Sequence, residues 1–402
     1  MIHKILLYFL ILLSLSSCGG SKLSQYFKEG KTLETDYLTT IPLNLSTGWI
    51  VVQPTIDGKV YNFIMDTGAT NIISKELAEK LNLNILGTEK VSDIQGAIQD
   101  MSYAKIESIS LGGIHFLDTT TGISDFFTEI FPYNCLKIDG IIGSNLMQHA
   151  IWDFDFKNKE IRITDREIKL DIKSSYTESK LYVGYGGIAS VTSFINGTKI
   201  YNNPIDFGYD GGIVIPYSEL NKQIEDGRIN KFVKGFGAIP IGAFGEASNN
   251  DFYTAKIDKI RFGDFIVNDE IVYADKTTIH RIGLGFFKNY RVILNWNKKR
   301  IKIFENQAVL EDSYSTFGYG TTQTNEQIVI SYLIEGSSAS KHLEIGDTIL
   351  SINERDLSSI SESERCEIWK DGIAEKSEDQ INISVLRNGK VYNFTLEKCH
   401  FF

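Results

Sequence analysis

Two short segments hold aspartates in settings where a carboxylate can do chemistry. Asp66-Thr67-Gly68 follows the apolar run Phe63-Ile64-Met65 and leads into Ile72-Ile73. Asp206-Phe207-Gly208 follows Pro204-Ile205 and leads into Ile213-Val214-Ile215, and the two aspartates are offset by 140 positions. Two carboxylates brought within about 3 Å cannot both ionise, so such a pair shares one proton. One member can then take a proton from water while the other donates to an acceptor oxygen. The rival for the second position is Asp210, in Asp210-Gly211-Gly212; Asp206 is preferred because it follows an apolar strand residue and keeps the 140-residue spacing. An Asp-Thr-Gly triplet by itself is also a plain turn after a strand, so the surrounding elements decide.

Those elements occur twice. Ile56-Asp57-Gly58-Lys59-Val60-Tyr61 precedes the first aspartate, and Ile195-Asn196-Gly197-Thr198-Lys199-Ile200-Tyr201 precedes the second. Each reads as a hairpin with an Asp-Gly or Asn-Gly turn. Tyr103-Ala104-Lys105-Ile106 parallels Thr254-Ala255-Lys256-Ile257, and Ile141-Ile142-Gly143 parallels Gly283-Leu284-Gly285. Asp155 to Ile163 parallels Asn295 to Ile303. Five matching blocks in one order mean an internal duplication, with lobes at 37–168 and 169–308. Short β-branched and aromatic runs alternate with turn residues, an all-β pattern. One short helix follows each aspartate loop, with Leu77 and Leu81 on one face of the first and Tyr217-Ser218-Glu219-Leu220 opening the second.

This combination resembles the aspartic proteases. Asp66-Thr67-Gly68-Ala69 looks retroviral-type, and the run from Asp206 to Pro216 looks like that of related bacterial clan members. The resemblance covers about 37–308. It implies two pepsin/retropepsin-like β-barrel lobes facing each other about a pseudo-twofold axis, with Asp66 and Asp206 as the catalytic dyad. Each Asp loop would cross under an apolar-apolar-Gly strand, Ile141-Ile142-Gly143 or Gly283-Leu284-Gly285. Thr67, Gly68 and Gly208 would support the dyad. In the family a hydroxyl after each Asp bonds across the axis; Thr67 can do this and Phe207 cannot. The second loop is then held by packing, or the site is a degenerate cleft that binds peptides without cutting them. Ala69 and Tyr209 stand where a Ser or Thr hydroxyl would stabilise the ionised form, so a mildly acidic to neutral optimum is expected. A flap should cover the cleft. Lobe 1 offers Gln95, Gly96 and Ala97; lobe 2 offers Gly235-Phe236-Gly237-Ala238 or Gly242-Ala243-Phe244-Gly245.

From about 312 to 402 the pattern changes. Leu343 to Asn353, with Gly346-Asp347 before an apolar strand, resembles the core of a PDZ domain, an α+β module. Ile381 to Lys390 looks like its last hairpin, and a helix from Glu362 to Lys370 would flank the peptide groove. Phe317, Gly318 and Tyr319 could form the loop that captures the carboxylate of a peptide or protein C-terminus. The implied partners are therefore polypeptide substrates and chain ends, with no cofactor.

At the N-terminus, Lys4 precedes the apolar run Ile5 to Leu13, too short to cross a bilayer but suited to a signal peptide. Leu15-Ser16-Ser17-Cys18 looks like a bacterial lipobox. It implies a signal peptide over 1–17, lipid on Cys18, a flexible tether over 18–36 and an outer-membrane anchor. Cys135, Cys366 and Cys399 remain; an exported chain could oxidise one pair, and spacing does not say which.

The 402 residues carry 41 Lys+Arg against 51 Asp+Glu, a net charge of -10. That balance gives no field to gather phosphates, so nucleic acid is not expected as a partner. A dyad that needs one proton also gains nothing from nearby lysines. The six histidines are scattered without metal-ligand spacing, so no metal site is expected. No G-x-S-x-G elbow supports a serine hydrolase.

Overall fold

The structure is a computed structural model that describes residues 22–45, 47–92, 98–125, 133–238, 241–242, 245–246, 248–276, 279–305, 313–324, 327–371 and 378–402. Residues 1–17 and Cys18 lie outside the described residues, as do Gln95, Gly96 and Ala97.

The architecture is mainly β, in two lobes and a C-terminal module. The hairpin turns form as their residue types require. Asp57 and Gly58 have φ of 49° and 72°, and Asn196 and Gly197 have φ of 45° and 87°. Two successive positive φ values make the turn whose twist matches the flanking strands.

In lobe 1, Phe63–Asp66 runs parallel to Gly140–Gly143, which is antiparallel to Ile72–Ile73, which in turn runs parallel to the end of Ile114–Ile123. Lobe 2 repeats this with Thr198–Asp206, Arg281–Gly283, Ile213–Val214 and Phe265–Asp275. The helix after each loop is also present. Lys75–Lys80 is capped by Ser74, whose hydroxyl accepts from the Leu77 N–H, and Leu77 and Ala78 are buried. Tyr217–Glu225 buries Leu220.

A six-stranded sheet joins the lobes. Leu38–Pro42, Glu160–Thr164 and Ile151–Asp155 come from the first lobe; Thr177–Lys180, Arg300–Glu305 and Tyr290–Asn295 come from the second. At its centre Ile151 pairs with Asn295 and Asp155 with Arg291, so the pseudo-twofold passes beside Asp153 and Ile293. One apolar cluster runs through both lobes and holds Trp152, Phe154, Phe207 and Phe287. Two lobes sharing one core cannot slide apart without exposing these rings.

The C-terminal module has its own core, including Ile330, Ile349, Ile368 and Val385. The helix forms over Glu362–Asp371, and the last hairpin turns at Asn388 and Gly389, both with positive φ. Asp347 is buried because Arg387 grips it through two hydrogen bonds of 2.7 and 2.6 Å while the Glu344 N–H donates to it at 2.9 Å. The Gly346-Asp347 signature is thus a structural clasp between a turn and the last hairpin.

Two expectations change. The stretch 22–36 is not a free tether. Lys22–Tyr26 is a helix, Leu23 and Phe27 are buried against a cluster with Trp49, Ile64 and Tyr103, and Lys31–Thr32 pairs with Phe116 and Leu117. Alternate apolar residues in a polar stretch found a lobe face to cover. Nor is Gly235–Ala238 a free flap: Phe232–Gly237 pairs on one side with Asn250–Phe262 and on the other with Gln327–Ile334 of the C-terminal module. The second-lobe and C-terminal strands therefore form one continuous 14-stranded sheet among the described residues. Ile241–Gly242 and Gly245–Glu246 pair as a small hairpin, while Ala243 and Phe244 lie outside the described residues.

Candidate active site

Each aspartate stands at the end of a strand and pairs with a glycine, Asp66 with Gly143 and Asp206 with Gly283. This corrects the second strand by two residues. Gly283, not Gly285, matches Gly143, so Arg281-Ile282-Gly283 is the counterpart of Ile141-Ile142-Gly143. Gly285 instead donates its N–H to the Gly211 carbonyl.

The loops turn back on their own carboxylates. Gly68 N–H donates to Asp66 Oδ1 at 2.7 Å, and Gly208 N–H donates to Asp206 Oδ1 at 3.1 Å. A Cβ on Gly68 would lie 2.6 Å from Asp206 Oδ1, and one on Gly208 would collide with the Asp66 carboxyl. Each glycine is therefore the floor on which the opposite carboxyl rests, and no larger residue fits. Both carboxyls meet at these glycines, and each acts on the other's ionisation. Asp66 and Asp206 are thus brought together, while Asp210 lies exposed just beyond them, where Lys288 acts on its charge.

Thr67 is fully buried and reaches across the axis. Its hydroxyl donates to the Ile205 carbonyl at 2.7 Å and accepts from the Phe207 N–H at 2.9 Å. Ser144 Oγ donates to the Thr67 carbonyl at 2.7 Å. The second lobe has no hydroxyl at the matching place. Phe207 is instead buried against Phe154 and Phe287, with ring centroids 4.9 and 5.6 Å away. One side of the lock is hydrogen-bonded and the other is packed.

Burial and mutual repulsion push Asp66 well above the ordinary carboxylate range. Burial pushes Asp206 up as well, but Arg281 and the Gly208 N–H pull it back. Arg281 Nη1 lies 3.5 Å from Asp206 Oδ2. The expectation that the dyad gains nothing from nearby lysines left this arginine out of view.

Sequence reasoning missed two site residues. Arg281 was hidden by the two-residue misalignment; at the constant 140 spacing it falls opposite Ile141, where a charge stands out. Trp49 donates its Nε1–H to the Gly208 carbonyl at 2.8 Å and stacks on Trp369 of the C-terminal helix at 5.5 Å. A lone tryptophan on a loop carries no signal of such a role. Cys135 and Cys366 form a disulfide that joins the first lobe to the same helix, and Cys399 is free.

Phe317, Gly318 and Tyr319 lie where the C-terminal module begins. The Gly318 N–H is taken by Thr316 Oγ1 at 3.1 Å, and Tyr319 pairs with Leu333. Among the described residues, Tyr319–Thr324 pairs on one side only, with Gln327–Ile334. Its other edge lies toward the helix, where Gln323 Nε2 donates to the Arg365 carbonyl at 3.4 Å.

Residues 52–146 match the family model described as aspartyl protease, and residues 309–372 match that of the PDZ domain. No curated protein matches the sequence. Among solved structures, the crystal structure of Basic 7S globulin from soybean is similar at 10% identity and a TM-score of 0.40, over 67% of this chain and 96% of that one. The chain thus carries an aspartyl protease domain and, C-terminal to it, a PDZ domain.

Proposed function

We propose that this protein is an aspartic endopeptidase, exported and held at a bacterial membrane, facing the periplasm or cell surface, by lipid on Cys18. The observation that carries the catalytic reading is the pair of carboxyls, Asp66 and Asp206, delivered by two copies of one loop, each resting on the glycine of the opposite loop. Ionised Asp206 would take a proton from a water lodged between the carboxyls. That water attacks the peptide carbonyl, and protonated Asp66 donates to the carbonyl oxygen. The lipobox-like Leu15-Ser16-Ser17-Cys18 supports the anchor. The open edge of Tyr319–Thr324 supports capture of a chain end by strand addition, with Phe317, Gly318 and Tyr319 at its mouth. In this reading the PDZ domain selects or gates the substrate.

The decisive experiment is cleavage of an unfolded protein across pH 3–8 by wild type, Asp66→Asn and Asp206→Asn. Wild type should cut, best at mildly acidic to neutral pH, and both variants should lose at least 100-fold, the scale expected of a lost acid–base partner. Equal activity in all three overturns the reading. A second reading, a peptide-binding protein with a silent cleft, is favoured by Phe207 and by the Arg281–Asp206 ion pair. It predicts that all three bind peptide and none cuts.

A further inference from the structure

Arg281 is where the duplication breaks at the dyad. Lobe 1 has Ile141 two residues before Gly143, and lobe 2 has Arg281 two residues before Gly283. The Arg281 side chain is 3% exposed, and its Nη1 lies 3.5 Å from Asp206 Oδ2. Its guanidinium covers the Tyr209 ring at 4.2 Å. Nε and Nη2 have no hydrogen-bond partner among the described residues. A buried cation so lightly hydrogen-bonded is retained only against a nearby negative charge. Around Asp66 the influences are burial, Asp206 and the N–H groups of Gly68 and Ala69, and no cation is among them.

We propose that Arg281 is a positioning residue that holds the negative charge of the dyad on Asp206 and the shared proton on Asp66. The internal duplication makes two loops of nearly equal chemistry; one arginine makes them unequal. Asp206 then becomes the group that accepts the water proton, and Asp66 the one that donates to the substrate oxygen.

Other charges face this centre. Asp66 faces Asp206 from the strand Phe63–Asp66. Tyr209 and Asp210 face it from the loop after Asp206, Asp275 acts on Tyr209 from Phe265–Asp275, and Lys288 acts on Asp210. Arg281 is the cation that contacts a dyad oxygen.

The kinetic consequences rest on the endopeptidase reading, whereas the placement of the proton does not. The test is therefore a carboxyl ¹³C NMR titration of the full chain, alongside the pH profile of kcat/KM. Asp66→Asn and Asp206→Asn assign the two signals. In wild type, Asp206 should ionise first and Asp66 should keep its proton toward neutral pH. In Arg281→Met the Asp206 midpoint should rise by about 1–3 pH units, the shift an adjacent opposite charge produces. The acid limb of kcat/KM should move with it, and Arg281→Lys should restore the order. Asp66 ionising first in wild type, or unmoved midpoints in Arg281→Met, overturns the proposal. If Arg281→Met does not fold, the wild-type order decides alone. Ordered titration without cleavage sinks the endopeptidase reading and leaves the arginine its role. Cleavage with the reverse order sinks only the arginine assignment.

Discussion

The dyad residues carry a stability cost that follows from their own chemistry. Both carboxyls are held above their ordinary range by burial, so the folded state binds a proton more tightly than the unfolded chain. Their stabilising contribution is full at pH below the unfolded carboxylate value and is lost as pH rises through the folded value. Asp66→Asn removes the titration and keeps the shape of the protonated acid. Its melting temperature should match wild type near pH 4 and exceed it at pH 8, read by thermal unfolding at both pH values; a variant less stable at pH 8 contradicts the protonated assignment. Thr67, Gly68 and Gly208 were legible as supports because their residue types are required by the loop. The way Phe207 works was not, because whether an aromatic ring replaces a hydroxyl depends on finding Phe154 and Phe287 beside it.

Elements inherit their partners from contacts far away in sequence. Gly235 to Ala238 reads as a candidate flap, yet the outer edge of the strand Phe232–Gly237 is covered by Gln327–Ile334. Gly237, with φ of 136°, sits at this seam, and a Cβ there would collide with the Ser331 carbonyl and lie 2.6 Å from the Tyr332 Cβ. Gly237→Val should destabilise the chain by about 1–3 kcal/mol through overpacking. It should also separate the unfolding of the PDZ domain from that of the lobes in calorimetry. A single unchanged transition would show that the seam contributes nothing to their coupling. A glycine-containing strand with two aromatics gives no hint of which neighbour will pair with it.

At the scale of the molecule, the PDZ domain is fastened to both lobes. It shares a sheet with the second, and it is tied to the first by Cys135–Cys366 and by Trp369 on Trp49. Through Trp49 the helix Glu362–Asp371 lies one hydrogen bond from the Gly208 loop. Peptide mapping without reductant should recover the Cys135–Cys366 pair with Cys399 free. Cys366→Ser should cost about 2–4 kcal/mol of stability in denaturant unfolding; a Cys366–Cys399 peptide would contradict the fold as described. The sequence alone determined the two aspartates, the duplication around them, the all-β lobes and the PDZ-like module. These rest on local periodicity, turn chemistry and repetition, all readable along the chain. Only the tertiary structure decided that 22–36 packs on the first lobe, that Arg281 meets Asp206, and that Cys366 pairs with Cys135 across 231 residues. The physical reason is shared by all three. Each depends on which surfaces meet after the strands have paired, and residue type does not encode a distant neighbour.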